Sequence, residues 1–408
     1  MAVTGRRRPR WGEIRELAGF ELPTLDRTRA QLARCASVSD VRKMARRRVP
    51  RAVFDYTDGA AGDELSLRRA RAAFASIEFQ PRVLRDVSTV DTSVTILGHR
   101  AELPLVLGPT GFTRFMHHAG EPAVAAVAER AGIPYGLSTL GTTSIEDLAA
   151  AVPGARRWFQ LYLMRDRGYG KELIERAWES GYDTVILTVD TPVAGRRLRD
   201  VRNGMSIPPR ITPRTALDMA AHPRWWLNLL TTEPLGFASL SSTGGTVSDL
   251  IARVFDPSIA LDDLDWLRGA WPGSLVVKGI QGVEDAVMVA DHGADAIILS
   301  THGGRQLERA PVPLEILPAV RQAVDVDVMI DGGVMSGADV VAAVASGATA
   351  VAVGRAYLYG LMAGGEAGVQ RVVDLLREEI ETTMRLLGRT RIDELGPECI
   401  RLRDVGRG

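Results

Sequence analysis

A short apolar run, Ala296–Leu299, leads directly into Ser300, His302 and Arg305, with two glycines between the last two. An imidazole exchanges protons near neutral pH, and a guanidinium can bind a carboxylate through two parallel hydrogen bonds. The glycines permit a tight turn that brings both groups to one place. This pattern indicates proton chemistry on a small organic acid at the end of a buried strand. An ordinary loop that carries a His and an Arg is the alternative that the segment alone leaves open.

Eight short β-branched runs, each ending in polar or glycine residues, follow one another from residue 104 onward. They are Leu105–Thr110, Tyr135–Thr139, Trp158–Tyr162, Thr184–Asp190, Leu275–Lys278, Ala296–His302, Val326–Asp331 and Thr349–Gly354. Segments of helical period lie between them, at Glu121–Ala131, Ser144–Ala151, Gly170–Ser180, Val283–His292, Leu314–Ala323 and Gly337–Ser346. Eight such units in roughly 250 residues predict an α/β fold, a closed (β/α)8 TIM barrel. A doubly wound open sheet is the competing fold, but no GxGxxG turn follows a first strand.

We expect one domain over residues 1–408, made of an N-terminal helical extension, a barrel and a C-terminal helix with a tail. The three parts are predicted at residues 1–103, 104–360 and 361–408. Helices are expected near Ser39–Arg47, Arg51–Asp58 and Gly368–Leu387. The connection over residues 203–263, after strand four, is much longer than a usual βα loop and is predicted to be an insertion.

The composition is that of an ordinary globular protein and excludes several functional classes. The chain has 408 residues, of which 46% are hydrophobic and 25% charged, and its formal net charge is zero, so a nucleic-acid binder is not expected. The basic run at residues 6–10 precedes no apolar segment, so we interpret it as a solvated tail and not as a secretory signal. Cys35 and Cys399 are isolated, which predicts no metal site, no disulfide and a reducing cytoplasm.

Barrel enzymes carry their chemistry at the carboxyl ends of the strands. Each predicted strand ends in groups that could contact a ligand, in chain order Pro109-Thr110-Gly111, Ser138, Gln160 with Tyr162, Thr188 with Asp190, Lys278, Ser300 with His302, Asp331-Gly332-Gly333, and Gly354-Arg355. Caps and turns account for two or three of these positions. A ligand site at one mouth of the barrel accounts for all of them.

These motifs, in this order, resemble the FMN-dependent 2-hydroxy-acid dehydrogenase and oxidase family, nearest to its L-lactate dehydrogenases of the quinone or cytochrome type. The resemblance covers roughly residues 36–395 and includes Phe54-Asp55-Tyr56, Gly195-Arg196-Arg197 and the run from Ser300 to Gln306. It implies oxidation of an L-2-hydroxy acid, foremost L-lactate to pyruvate, with electrons passed to a quinone or similar acceptor. A hydroxy-acid oxidase that reduces oxygen to hydrogen peroxide, and a flavin-binding barrel without turnover, remain as alternatives.

The resemblance also implies a role for each matching residue. It makes His302 the base, and Asp190 the carboxylate that orients the imidazole and stabilises its charged form. Tyr162 is counted as both catalytic and substrate-binding. The carboxylate and hydroxyl of the substrate are assigned to two tyrosines and two arginines, Tyr56, Tyr162, Arg197 and Arg305.

FMN is the implied cofactor, and no metal is expected. Lys278 would support negative charge on the reduced flavin, and as a buried lysine it should have a partner. The phosphate is expected on the loops after strands seven and eight. The full set of implied FMN residues is Pro109, Thr110, Gly111, Ser138, Gln160, Thr188, Lys278, Ser300, Asp331, Gly332, Gly333, Gly354 and Arg355.

Two positions depart from the pattern of the family. Met335 stands where most members carry an arginine that contacts the FMN phosphate, so we expect FMN to be retained with weaker phosphate binding, through Arg355 and backbone amides. Thr301 replaces the usual asparagine before the histidine, which changes the hydrogen bonds available around it.

The insertion carries an apolar cluster, with Trp225 and Trp226 side by side after the proline-rich segment Ile207–Pro213. We expect it to cover the mouth of the site and to touch a membrane or a quinone, because aromatic side chains suit the membrane interface. Packing on the barrel or on a neighbouring subunit is the alternative. The resemblance implies a homotetramer, located in the cytoplasm with peripheral contact to the inner face of the cell membrane.

Overall fold

Eight parallel strands close into a barrel in the computed structural model, which describes residues 10–12, 26–203, 213–243 and 254–403. The strands, β1 to β8, are Leu105–Leu107, Tyr135–Ser138, Arg157–Leu161, Thr184–Thr188, Ser274–Ile280, Ala296–Leu299, Asp327–Asp331 and Ala350–Val353. Each pairs with its neighbour in chain order, and β8 pairs with β1 to close the ring. The predicted (β/α)8 barrel is confirmed. The expectations for residues 6–9 and 207–212 lie outside the described residues.

Three of the eight strands, β1, β4 and β6, end two or three residues before the predicted run ends, and three others end one residue early. The polar residues at the carboxyl ends of those runs therefore stand in loops, except for Ser138, Gln160, Thr188, Lys278 and Asp331, which belong to strands. β5 is longer than predicted and carries a bulge between Lys278 and Ile280. Gly279 lies in this bulge at φ +109, a backbone conformation that residues other than glycine rarely adopt.

A compact apolar cluster fills the inside of the barrel. Its members come from successive strands and include Val106, Trp158, Ile186, Val276, Ile298 and Met329. A hairpin of Val94–Ile96 and His99–Ala101 adds Ile96 to this cluster, and the backbone amide of Leu97 donates to Asp327 at the start of β7. The hairpin thus covers the amino-terminal end of the barrel, so a ligand can enter only from the carboxyl end.

Helices surround the barrel, and their apolar faces pack on the outward side chains of the strands. Those between barrel strands are Gly120–Ala131, Ile145–Ala151, Arg167–Glu179, Leu261–Ala270, Val283–Asp291, Pro313–Ala323 and Gly337–Ala345. The predicted C-terminal helix begins earlier than expected, at Arg355, and runs to Leu387. It bends at Gly364 and Gly365, which depart from helical geometry. The helix that follows β8 continues through this bend directly into the C-terminal helix.

The N-terminal extension forms helices Arg27–Ala33, Val38–Arg48, Arg51–Asp58 and Leu65–Ala75. Asp58 joins it to two distant parts of the chain. Its carboxylate accepts hydrogen bonds from Arg42 at 2.6 Å, from Arg199 at 2.8 Å and from the hydroxyl of Tyr359 at 2.8 Å. Burial would raise the pKa of Asp58, but these bonds outweigh it and lower the pKa to about 2. A buried carboxylate ion therefore fastens the extension to the helix Leu198–Arg202 and to the C-terminal helix.

Helix Leu198–Arg202 precedes the insertion, whose described part contains helices Pro213–Ala220 and Pro223–Leu230. Trp225 is only 9% exposed, and its indole N–H donates to the carbonyl of Phe115 at 2.9 Å. The prediction that it faces a membrane is therefore wrong, and this tryptophan anchors the insertion to the protein. Leu217, Leu227 and Leu230 are the exposed apolar side chains of these helices. None of the helices within the described ranges has the length and hydropathy to cross a bilayer.

Candidate active site

A cavity of about 670 Å³ opens at the carboxyl ends of the strands, within the usual size range of small-molecule sites. All of the predicted site residues line it except two, Asp190 and Ser300. Those two hydrogen-bond to the lining residues His302 and Lys278. Asp190 instead lines a second cavity, of about 690 Å³, which shares the lining residues Thr188 and Thr191 with the first. The residues that the sequence spreads over 300 positions thus meet at one mouth of the barrel.

His302 stands on the loop after β6 in the left-handed region, at φ +55, and its amide donates to Ser300 Oγ at 2.9 Å. Its Nδ1 lies 3.0 Å from Asp190 Oδ1, whose side chain is 1% exposed. Burial alone would raise the pKa of Asp190, but interactions with His302 and Lys278 outweigh it and hold the pKa below its usual value. A carboxylate ion at Nδ1 favours the tautomer with its proton there, so Nε2 is left as the proton acceptor.

Arg305 and Arg197 flank the ring of Tyr56, with guanidinium carbons 5.1 and 5.5 Å from the ring centroid. Arg305 also donates to the carbonyls of Tyr56 and Gly59, at 2.6 and 3.1 Å. Burial and the neighbouring charge of Arg197 lower the pKa of Arg305 to about 10, which still leaves it positively charged at neutral pH. Two like charges held together in a cavity wall are the complement of an anionic ligand.

Tyr162 lies on the loop after β3 and is almost fully buried. Burial, followed by the negative charge of Asp190, raises its pKa above the ordinary phenol value. The phenol therefore stays protonated at any physiological pH. It can donate a hydrogen bond into the cavity without releasing its proton.

Lys278 on β5 is buried and has the partner that the sequence required. Its Nζ donates to Ser300 Oγ at 2.9 Å and lies 3.1 Å from Asp331 Oδ2. Ser300 Oγ in turn donates to Asp331 Oδ1 at 2.7 Å. Burial would lower the pKa of Lys278, but the charges of Asp331 and Asp190 outweigh it and raise the pKa. The lysine is therefore a fixed cation in the wall of the cavity.

A chain of side-chain hydrogen bonds crosses three neighbouring strands at the mouth. Ser138 Oγ donates to Gln160 Oε1 at 2.8 Å, and Gln160 Nε2 donates to Thr188 Oγ1 at 3.0 Å. Thr110 Oγ1 lies 2.6 Å from the hydroxyl of Tyr357. These bonds fix the orientation of the amide and of the hydroxyl groups, which suits a ring that carries both donors and acceptors.

The opposite side of the cavity is built from glycine turns. Gly332 and Gly333 have φ values of +86 and +83, and a Cβ on Gly333 would lie 2.8 Å from the carbonyl of Ala70. Arg355 donates to the carbonyls of Thr57 and Gly59, at 3.0 and 2.9 Å. Exposed backbone amides at such turns form anion sites after the last two strands of a barrel.

The structure also reveals residues to which the sequence gave no role. Gln306 donates to the carbonyls of Asp190 and Val193, and its Oε1 accepts from the amide of Gly195. Arg71 lines the cavity from the N-terminal extension and donates to the carbonyl of Gly333. Gln306 is the last residue of the quoted run from Ser300, whereas Arg71 lies in the arginine-rich helix Leu65–Ala75, where no motif marked it.

The donor set of the cavity fits FMN. A buried lysine cation and a fixed amide–hydroxyl chain stand on one side, and a glycine-rich anion site stands on the other. An isoalloxazine ring with a phosphorylated side chain requires both. The two arginines beside Tyr56 suit a different ligand, because their positive charges are complementary to a molecule that carries a carboxylate.

Comparison with known proteins agrees with this arrangement. A family model described as FMN-dependent dehydrogenase matches residues 45–402. The chain is 54% identical over 409 residues to a putative L-lactate dehydrogenase of Mycobacterium tuberculosis, covering 100% of this chain and 99% of the relative. An L-lactate dehydrogenase of Caulobacter vibrioides is 42% identical over 362 residues, covering 86% and 94%. The crystal structure of the monotopic membrane protein (S)-mandelate dehydrogenase superposes with a TM-score of 0.88 at 38% identity, over 91% of this chain and 100% of that one. The chain therefore belongs to the FMN-dependent dehydrogenase family, and its cofactor is FMN.

Proposed function

We propose that this protein oxidises L-lactate to pyruvate and passes the electrons to a quinone or a similar acceptor. The observation that carries the proposal is the meeting of the His302–Asp190 pair with Arg305 and Arg197 at a cavity whose donors fit FMN. The relatives named L-lactate dehydrogenase support the choice of substrate. The oxidation removes the hydroxyl proton, the hydrogen on C2 and two electrons from L-lactate. When bound, FMN would supply the acceptor for the two electrons and for the hydrogen that leaves C2 with them.

His302 acts as the base in this proposal. Its Nε2 takes the proton of the substrate hydroxyl, and the resulting imidazolium is stabilised by the carboxylate of Asp190 at Nδ1. Because Asp190 is buried and ionised, it holds the ring in one orientation before the substrate arrives. The loop hydrogen bond from the His302 amide to Ser300 fixes the same orientation from the backbone side.

Arg305 and Arg197 bind the substrate carboxylate, which places the carbon that carries the hydroxyl next to His302. Tyr56, held between the two guanidinium groups, and Tyr162 donate hydrogen bonds to the substrate. Since burial keeps Tyr162 protonated, it remains a donor throughout the reaction.

FMN is held by the remaining residues of the predicted set. Lys278 supplies positive charge where the reduced ring is anionic. Ser138, Gln160 and Thr188 would orient the ring by hydrogen bonds, and Pro109, Thr110 and Gly111 would contact it. Gly332, Gly333, Gly354 and Arg355 would bind the phosphate. Ser300 and Asp331 act on Lys278, to which both are bonded.

Anaerobic stopped-flow spectroscopy tests the proposed base. L-Lactate should bleach the flavin of the wild-type protein, and His302→Ala should slow the bleaching by roughly 10²- to 10⁴-fold, the usual contribution of a general base. The variant should retain FMN and its oxidised spectrum. Normal bleaching in His302→Ala would remove this residue from the role of base, and absence of bleaching in the wild type would refute L-lactate as substrate.

The same experiment identifies the acceptor. After reduction, we mix the protein with a soluble quinone or with oxygen and follow the return of the flavin absorbance. Rapid reoxidation by the quinone and slow reoxidation by oxygen support the dehydrogenase. Rapid reoxidation by oxygen with release of hydrogen peroxide would establish the oxidase instead. A flavin that no 2-hydroxy acid reduces would indicate a binding protein without turnover.

We further propose that the insertion touches a membrane surface through Leu217, Leu227 and Leu230. These side chains are 76%, 48% and 74% exposed on neighbouring helices, and apolar side chains on an amphipathic helix bind the interface between water and lipid. The solved (S)-mandelate dehydrogenase that resembles this chain is a monotopic membrane protein, which supports the proposal.

Vesicle flotation tests this contact. The wild type should float with anionic vesicles, and the triple variant Leu217→Ser/Leu227→Ser/Leu230→Ser should remain in the soluble fraction. Leu386→Ser, an exposed leucine outside the insertion, is the matched control and should float like the wild type. Equal flotation of the triple variant and the wild type, or failure of the wild type to float, would refute the membrane contact.

A further inference from the structure

The glycine side of the cavity needs a cation for a bound phosphate. A phosphate monoester carries a charge between about −1.5 and −2 at neutral pH. Gly332, Gly333 and Gly354 can offer only backbone amides there. Met335, which also lines this side, is apolar.

The other arginines of the cavity are largely engaged elsewhere. Arg355 uses Nε and Nη2 for the carbonyls of Thr57 and Gly59. Arg42 forms a bidentate ion pair with Asp58, at 2.6 and 2.9 Å. Neither guanidinium can turn its full donor edge to a phosphate without breaking these bonds.

Arg71 is differently placed. Its Nη1 donates to the carbonyl of Gly333 and, at 2.8 Å, to Asp339 Oδ2. The same carboxylate oxygen accepts a hydrogen bond from the backbone amide of Met335, also at 2.8 Å. The guanidinium of Arg71 therefore abuts the backbone at Met335, the position whose own side chain carries no charge.

Its remaining donors are free to serve a ligand. Within the ranges that the structure describes, Nε and Nη2 of Arg71 donate to no protein atom, and its side chain is 42% exposed toward the cavity and solvent. Asp339 holds one edge of the guanidinium and so orients the other. This arrangement costs little rotamer entropy on binding, because the side chain is already fixed at Nη1.

We propose that Arg71 binds the phosphate of FMN and supplies from the N-terminal extension the charge that Met335 lacks. The proposal rests on FMN as the cofactor. It makes the extension part of the cofactor site and not only a cover over the barrel. The helix Leu65–Ala75, to which the sequence assigned no role, thereby acquires a binding role.

Flavin titration tests the proposal. The full-length protein is freed of flavin and titrated with FMN and with riboflavin, which lacks the phosphate, and binding is followed by the quenching of flavin fluorescence. Arg71→Gln keeps a donor for Gly333 and Asp339 but removes the charge. It should raise the Kd for FMN by about tenfold or more and leave the Kd for riboflavin unchanged. Arg71→Gln/Met335→Arg should recover most of the lost FMN affinity.

Two neighbours on the same helix complete the experiment. Arg69→Gln, at an exposed position that does not line the cavity, should bind FMN like the wild type. Arg68 lines the cavity but donates to the carbonyl of Asp63. A selective loss of FMN affinity in Arg68→Gln with none in Arg71→Gln would overturn the assignment.

Equal loss of FMN and riboflavin affinity in Arg71→Gln would also overturn it, since that result means a distorted cavity. If the wild type bound riboflavin and FMN with the same Kd, no residue would stabilise the phosphate. That result would refute the role of Arg71 but not the flavin site. A wild type that bound neither flavin would refute the cofactor itself along with this role of Arg71.

Discussion

Asp190 interacts with two cationic or basic groups while it lines neither the substrate side nor the flavin side of the main cavity. His302 is bonded to it directly, and Lys278 lowers its pKa through space. Lys278 has its own ion pair with Asp331. Basic and acidic groups thus alternate in the wall behind the cavity, and Asp190 and Lys278 each favour the ionised form of the other. Removal of one member should change the chemistry more than it changes the cavity.

Asp190→Asn is expected to separate these two effects. An asparagine fits the same space but cannot stabilise an imidazolium, so we expect flavin reduction by L-lactate to slow by roughly 10²- to 10⁴-fold. The Kd for FMN should stay within about twofold of the wild-type value, because Asp190 does not line the cavity that fits FMN. Stopped-flow reduction and flavin titration of the same preparation measure both. A variant that loses FMN and keeps a normal reduction rate would contradict this account.

The loop between β4 and helix Leu198–Arg202 carries Asp190 and Arg197, and so connects the proposed base to the proposed carboxylate site. Gln306 ties it down by three hydrogen bonds, to Asp190, Val193 and Gly195. A Cβ on Gly195 would lie 2.1 Å from the carbonyl of Arg305. The loop that carries Arg197 is therefore packed directly on the loop that carries Arg305.

Gly195→Ala should for this reason disturb substrate binding. The added methyl group must push the two loops apart, and a displacement near 1 Å at a substrate-positioning group can reduce kcat/KM on the order of 10- to 100-fold. Steady-state kinetics with L-lactate should show the loss mainly as a higher KM. Gly236→Ala, in the insertion that follows, has no atom near the new Cβ; it is the control and should behave like the wild type. Unchanged KM in Gly195→Ala would mean that the loops do not set the spacing of the arginines.

At the scale of the whole molecule, the barrel and most of its mouth could be predicted from sequence, because strands buried on both faces give uninterrupted apolar runs such as Ala296–Leu299. The predicted C-terminal helix began too far along the chain, at Gly368, because Gly364 and Gly365 indicate a helix boundary and not a bend within a helix. Trp225 was placed on the wrong surface because an eight-residue amphipathic helix does not reveal which partner covers its apolar face. The contacts of Arg71 and Arg199 join positions more than a hundred residues apart, and no local pattern predicts them.

Asp58 predicts how the assembled molecule responds to acid. Its pKa of about 2 in the folded protein lies below the value near 3.9 of an unfolded aspartate, so its contribution to stability is complete above about pH 4 and is lost as the pH falls toward 2. The shift corresponds to about 2 kcal/mol. Urea unfolding should show Asp58→Asn destabilised at pH 7, with a smaller difference from the wild type at pH 3. A difference that is equal at both pH values would contradict the assignment of this ion.

The predicted homotetramer has its own measurement. Sedimentation velocity of the wild type at micromolar concentration should give a species near four times the chain mass of 44.2 kDa. A monomer at these concentrations would refute the prediction. The serine variants of the insertion should keep the tetramer if their leucines face lipid, and should lose it if those leucines form a subunit interface.

The carbonyls of Tyr56, Thr57 and Gly59 are bonded to residues that the ribosome adds much later. They accept hydrogen bonds from Arg305 and Arg355, which are synthesised 249 and 298 positions after Tyr56 and Thr57. At about 5 to 20 residues per second, these early carbonyls wait roughly 15 to 60 s for the second arginine. A nascent chain that stalls before residue 355 lacks the guanidinium that bonds to Thr57 and Gly59, so this contact between the N-terminal extension and the helix after the last strand of the barrel forms only late in synthesis.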